Sequence, residues 1–305
     1  MKRWIKYGAL SALGLAALAA ITLAAGVQLA ERKMNRRIDV KVAPLAVPAA
    51  AGGDADRIAR GRYIFMSRGC TECHGVDGAG KTFVDDGKGL RIHAPNITPG
   101  PGNVVAAYTT DDWNRTIRHG VKPDGRPAVV MPSEDYARMN DADLAALIAF
   151  LRTMPPVAGE PASVRFPAPV RALYAFGAIR DAAERIDHAL APPPSVPDAP
   201  TAAHGAYLVN ACIGCHGATL SGGRIPGAPP DWPAAANLTP GAGSAMPRYP
   251  SIEAFRAMLR SGRRPDGSAV SPVMPFTALK EMNDVDVQAL FLHLKSLAPI
   301  AAGNR

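Results

Sequence analysis

The chain has 305 residues, of which 48% are hydrophobic and 20% charged, with a formal net charge of +8. That length suits two domains of ~100–150 residues better than one small module. The charge excludes a nucleic-acid surface as its explanation. Residues 1–53 carry eight Lys/Arg against two acids, residues 54–157 balance thirteen against thirteen, and no basic stripe with interleaved aromatics occurs.

Residues 1–37 form the first unit. Lys2, Arg3 and Lys6 precede an uncharged run over 7–30, long enough to cross a hydrocarbon core of ~30 Å. A secretory signal has a shorter apolar region of ~7–15 residues, so an uncleaved transmembrane anchor is expected. With either an anchor or a removed signal, the remaining chain is exported. Arg32, Lys33, Arg36 and Arg37 follow the run, so flanking charge does not fix its orientation. Residues 38–54, rich in Ala, Pro and Val and ending near Gly52-Gly53, read as a flexible tether.

Residues 55–157 form the next unit. A helix over 56–66 leads into Cys70-Thr71-Glu72-Cys73-His74. A second is bounded by Thr109 and Gly120, a hydroxyl N-cap and a glycine C-cap. A third carries Leu144, Leu147, Ile148 and Leu151 at i, i+3, i+4, i+7 after Asn140 and Asp141. Residues 158–200 are a linker, entered after Pro155-Pro156 and closed by Pro192-Pro193-Pro194, with a helix expected within 170–190. A spacer is the favoured reading, a docking strap the alternative.

Residues 201–305 repeat the first unit with a period of about 142 residues. Gly205-Ala206-Tyr207 answers Gly61-Arg62-Tyr63, and Asn237-Leu238-Thr239-Pro240-Gly241 answers Asn96-Ile97-Thr98-Pro99-Gly100. Pro265-Asp266-Gly267 answers Pro123-Asp124-Gly125, and Met274-Pro275 answers Met131-Pro132. Ser251 and Gly262 bound the second helix, and Val287, Leu290, Phe291 and Leu294 line the third. Cys212-Ile213-Gly214-Cys215-His216 completes the set.

These two pentapeptides use all 4 cysteines of the chain. Two thiols separated by two residues, followed at once by histidine, is the spacing that attaches a c-type haem. The thiols become thioethers to the two vinyl groups and the histidine supplies one axial ligand. Two haem c groups are therefore expected, on Cys70 and Cys73 and on Cys212 and Cys215, with His74 and His216 on the irons. Two such porphyrins also supply core volume to a chain with only 6% aromatic residues. A four-thiolate zinc centre is the competing use of the cysteines, but zinc needs neither the histidines nor a complete repeat around each pair. A thioredoxin-like pair lacks its βαβ setting.

A sixth ligand must recur in both halves, and methionines do. His93 and His119 have no counterparts and, with His188, His204 and His293, read as ordinary residues. Met139 and Met282 immediately precede helix caps, where an apolar residue packs back as a staple. Met131 and Met274 lie in loops, each held by a following proline, and are the favoured ligands.

The Gly-x-Tyr lead into Cys-x-x-Cys-His, Asn-Ile-Thr-Pro, Arg118-His119-Gly120 through Asp124-Gly125, Met131-Pro132, and Met139-Asn140-Asp141-Ala142-Asp143-Leu144 together resemble a known family. It is that of the membrane-anchored cytochrome c subunits of bacterial periplasmic alcohol and gluconate dehydrogenases. The resemblance covers roughly 55–305. It implies an all-α fold of two tandem cytochrome c-type domains with an N-terminal transmembrane helix. It implies thioether attachment at the four cysteines and His74/Met131 and His216/Met274 as ligand pairs. It departs in having two haem domains rather than three, and its anchor at the N-terminus.

The expected activity is the relay of single electrons rather than catalysis. The donor would be a periplasmic dehydrogenase or another redox protein, and the acceptor a quinone or terminal oxidase. The place of action would be the periplasmic face of the bacterial cytoplasmic membrane. A di-haem peroxidase or thiosulfate-oxidising cytochrome is the alternative, but it would need an open or displaceable ligand that a methionine in each repeat does not leave.

Overall fold

The computed structural model describes residues 2–45, 54–229 and 231–305. In chain order the helices are α1 (Lys2–Met34), α2 (Ala55–Ser67), α3 (Cys70–His74), α4 (Thr110–His119), α5 (Asp141–Thr153), α6 (Ala168–Ala175), α7 (Ala202–Leu208), α8 (Ile213–His216), α9 (Ile252–Ser261), α10 (Phe276–Leu279) and α11 (Asp284–Ser296). Three strands, β1 (Thr82–Asp85), β2 (Arg91–His93) and β3 (Ser163–Arg165), form one antiparallel sheet in that order. The fold is mostly helical, as expected. The sheet is the exception, and strands of three or four residues are too short to show an alternating pattern.

Each half builds its own apolar cluster. Phe65, Trp113, Leu144 and Ile148 centre the first, and Phe255, Leu259, Val287 and Leu294 the second. The main helix crossings explain one repeated glycine. A Cβ on Gly61 would lie 2.0 Å from the Ala146 carbonyl oxygen, and one on Gly205 would lie 2.1 Å from that of Ala289. No side chain fits there, so α2 crosses α5, and α7 crosses α11, only through glycine.

The caps follow the sequence closely. The Thr109 side chain accepts from the Asp112 N–H while the Asp112 carboxylate accepts from the Thr109 N–H, a capping box. Ser251, Asn140 and Asn283 accept from the third residue of their helices in the same manner. Gly120 and Gly262 end α4 and α9 at φ +64 and +67, a conformation glycine adopts without penalty.

Two segments differ from their sequence readings. The described part of the expected tether is packed: the Ile38 N–H donates to the Gly125 carbonyl at 2.9 Å, Asn114 Nδ2 donates to the Ala43 carbonyl at 3.1 Å, and Val40 and Leu45 are buried. Residues 46–53 lie outside the described residues. In the linker, the helix is confined to α6, because Gly177 turns the chain at φ +80, and only a 3-10 turn at Ala182–Glu184 follows.

The linker is a strap rather than a loose spacer. Lys33 Nζ donates to the Tyr174 carbonyl at 2.9 Å and pairs with Glu184 at 3.0 Å, and Arg36 pairs with Asp181 at 2.8 Å. Its 3-10 turn seats against Gly120, whose Cβ would meet that of Ala182 at 3.4 Å. By length and composition α1 is able to cross a membrane; a signal sequence passes the same test.

Candidate haem sites

Each cysteine–histidine segment forms a single helical turn ended by a glycine. Gly75 follows α3 at φ +74 and Gly217 follows α8 at φ +79, and their N–H groups return to the Thr71 and Ile213 carbonyls. The spacing of three places both thiols of a pair on one side of the turn. Cys70 packs against the first apolar cluster and Cys212 against the second. Burial pushes both thiols up to about 12, and it raises Cys73 and Cys215 as well. Among the described residues no three His, Cys, Asp or Glu gather where a metal ion could be held.

Both candidate histidines are oriented in the same way. His74 Nδ1 lies 2.9 Å from the Pro95 carbonyl oxygen and His216 Nδ1 lies 2.8 Å from that of Ala236. A carbonyl only accepts, so Nδ1 carries the proton and Nε2 keeps its lone pair for iron. Burial lowers the pKa of both rings, opposed by that same hydrogen bond, which keeps the imidazoles neutral as ligation requires.

The carbonyls that fix these rings belong to a second motif. Asn96 follows Pro95. Its side-chain oxygen accepts from the Thr98 N–H and hydroxyl, and its Nδ2 donates to the Val157 carbonyl at 2.7 Å. Asn237, after Ala236, accepts from Thr239 in the same way and donates to the Ile300 carbonyl at 2.8 Å. The Asn-x-Thr-Pro-Gly repeat therefore positions the acceptor for each histidine. In the sequence it served only to establish the duplication, since nothing local to it suggests contact with a ring some twenty residues upstream.

The methionine pairs occupy different environments. Met139 and Met282 are buried in the two cores, and Arg118 binds the Met139 carbonyl through Nε and Nη2. Met131 and Met274 are partly exposed at the edge of the same clusters that hold Cys70 and Cys212. Each lies in a matching tight turn: the Ser133 N–H returns to the Met131 carbonyl, and the Phe276 N–H to that of Met274, both at 2.8 Å. Of the remaining histidines, His204 is fully buried against Asp286, His93 meets Thr82, and His119 and His188 pair through Nδ1 at 3.0 Å.

The two sites are locked together by an exchange of tyrosines. Tyr63 donates to Asp286 at 2.6 Å and accepts the Asn283 N–H, both at the start of α11. Tyr207 donates to Asp143 at 2.6 Å and accepts the Asn140 N–H, both at the start of α5. Arg68 adds a 2.7 Å pair to Asp286. Burial opposes the Asp286 charge, but Arg68, Tyr63 and His204 together hold its pKa below the ordinary value. The segment after each methionine also crosses over. The 3-10 turn Ser133–Asp135 meets α8, where the Asp135 carboxylate accepts the Gly214 N–H at 3.0 Å, and α10 packs against α3.

Paired thiols, an imidazole and a methionine are the kinds of group a c-type cytochrome offers its haem, and residues 58–155 match the family described as Cytochrome c. The chain carries a cytochrome c domain there.

Among curated proteins it is 28% identical to "Alcohol dehydrogenase (quinone), cytochrome c subunit" of Gluconobacter oxydans, over 90% of this chain and 62% of that one. It is 29% identical to "Gluconate 2-dehydrogenase cytochrome c subunit" of Pantoea cypripedii, over 79% of this chain and 59% of that one. It is 30% identical to a subunit of the nicotinate dehydrogenase of Pseudomonas putida, over 84% of this chain but 23% of that protein. The chain thus spans less than two thirds of each of these relatives.

Proposed function

We propose that the chain is a di-haem c-type cytochrome that relays single electrons for a dehydrogenase. One haem would be attached at Cys70 and Cys73 with His74 and Met131 on its iron, the other at Cys212 and Cys215 with His216 and Met274. The observation that carries the reading is the matched anchoring of His74 and His216, each through Nδ1 to a carbonyl held by the same Asn-Thr lock.

Bound haem supplies a one-electron Fe(III)/Fe(II) couple, which methionine ligation raises in potential. The chain's part is to fix the imidazole plane, surround the ring with apolar side chains and keep both axial positions occupied. Such a centre changes charge without taking up a substrate. The tyrosine exchange fixes the two sites relative to one another, which favours transfer within the chain over a separate encounter for each haem.

In this reading α1 anchors the protein in the cytoplasmic membrane with the haem halves on the periplasmic side. A dehydrogenase is the donor, as the relatives' names suggest, and a quinone or terminal oxidase the acceptor. Mass spectrometry of the exported protein should show two added haem groups, and the reduced spectrum should barely respond to carbon monoxide. One haem or none, or ready gas binding, would refute the reading.

A further inference from the structure

The last turns of α1 and the linker helix α6 pack directly on each other, through small residues. Gly26 and Ala30 form the buried stripe of α1. A Cβ on Gly26 would lie 2.8 Å from the Ala172 Cβ and 3.2 Å from the Phe176 ring. Small residues four apart are the means by which helices approach closely where lipid surrounds them. Ion pairs lie toward the C-terminal end of α1: Lys33 and Arg36 pair with Glu184 and Asp181, and Glu31 pairs with Arg171, the residue before Ala172.

This arrangement sets a depth for α6. Gly26 is inside the uncharged run that ends at residue 30, about 6 Å along the helix axis at ~1.5 Å per residue. Interfacial helices bury their apolar face by ~5–10 Å. Leu173 and Phe176, one turn apart on α6, are 48% and 57% exposed, and Leu23 and Leu29 of α1 are exposed alongside. Both helices thus carry exposed large apolar side chains close to the Gly26 contact.

We propose that α6 is a second membrane-contact element, seated in the boundary of the leaflet nearest the haem halves with Leu173 and Phe176 among the acyl chains. The inference rests on α1 being a membrane anchor. Its consequence is that the haem halves are held at a set height and tilt on the bilayer, through a strap that reaches both α1 and the Gly120 turn of the first half.

The test uses the full-length holoprotein in phosphatidylcholine vesicles doped with a phospholipid bearing a diazirine in its acyl chain. After photolysis, lipid adducts are expected on α1 and on the tryptic peptide 172–180. In Leu173→Ser/Phe176→Ser, with haem absorption and α1 labelling retained, adducts on that peptide should be lost. Labelling of α1 alone would overturn the inference while leaving the anchor intact. Labelling of neither would remove the anchor reading and the inference together. Adducts that persist in the double variant, or a peptide recovered crosslinked to protein instead of lipid, would also overturn it.

Discussion

After Met131 the chain makes the acidic 3-10 turn Ser133–Asp135, which presents a carboxylate to α8 of the other half; after Met274 it makes the apolar α10, whose Phe276 lies under Gly262. A second contrast lies one turn before the exchanged tyrosines. Arg60 reaches Asp143 at 2.8 Å in the first half, whereas His204 reaches Asp286 at 2.8 Å in the second. What the halves share (the glycine crossings, the Asn-Thr lock, the methionine turn) is what a haem pocket needs. What differs lies where one half touches the other. Duplication preserved the pocket and let the contact surfaces diverge, so on the proposed di-haem reading the two centres should sit in unlike electrostatic surroundings and differ in potential.

The sharpest way to separate the halves is to remove one distal ligand at a time. Met131→Ala and Met274→Ala should each lower a single potential by on the order of a hundred millivolts, within the ~0.8 V that axial ligands command. The altered haem should also bind external ligands. Redox titration of both variants would show two different haems affected; an unchanged titration would move the ligand elsewhere. Next in size are Tyr63→Phe and Tyr207→Phe. Each removes a hydrogen bond to a buried carboxylate, worth about 1.5–3 kcal/mol. Tyr63→Phe should cost less, because Asp286 still keeps both Arg68 and His204, while Asp143 retains Arg60 alone. Denaturant unfolding of both variants checks the order.

The last expected effect is one of pH dependence, at Asp135. Burial and the neighbouring Glu134 raise its carboxyl to about 7, against the pull of the Gly214 N–H and Arg185. The folded chain then holds a proton that an unfolded chain releases near 3.8, so this group makes stability fall as pH rises from about 4 to 7. Asp135→Asn keeps an acceptor for Gly214 and should flatten that slope, leaving the variant relatively more stable at pH 8 than at pH 5. Thermal melts across that range would measure it, and an unaltered slope would place the titration on another group.

The helices and their ends were largely legible in the sequence, because caps and periodicity are local: Thr109, Gly120, Ser251, Gly262, Asn140 and Asn283 all stand at the ends expected of them. The covalent motifs were legible because they are contiguous. Neither the Asn96 and Asn237 locks nor the sheet was: each lock reaches a carbonyl some sixty residues downstream, and the strands are too short to show an alternating pattern. Composition leaves the linker's packing open for a similar reason: α6 is mildly apolar and bounded by prolines, and only its fit against Gly26 shows what it packs on. Tyr63 and Tyr207 stood out as repeat markers, yet a repeat aligned with itself does not show that each copy's tyrosine serves the other.

That exchange has a bearing on how such a molecule came to be and how it is divided. The opening turn of α5 is finished by a phenol from downstream, and that of α11 by one from upstream. Either half produced by itself would keep its asparagine cap and one partner for its acid, Arg60 for Asp143 or His204 for Asp286, but would lose the phenol that serves both groups. A single ancestral unit would have had this phenol only from a second copy of itself, and expression of single halves would show how far each closing helix stands without it.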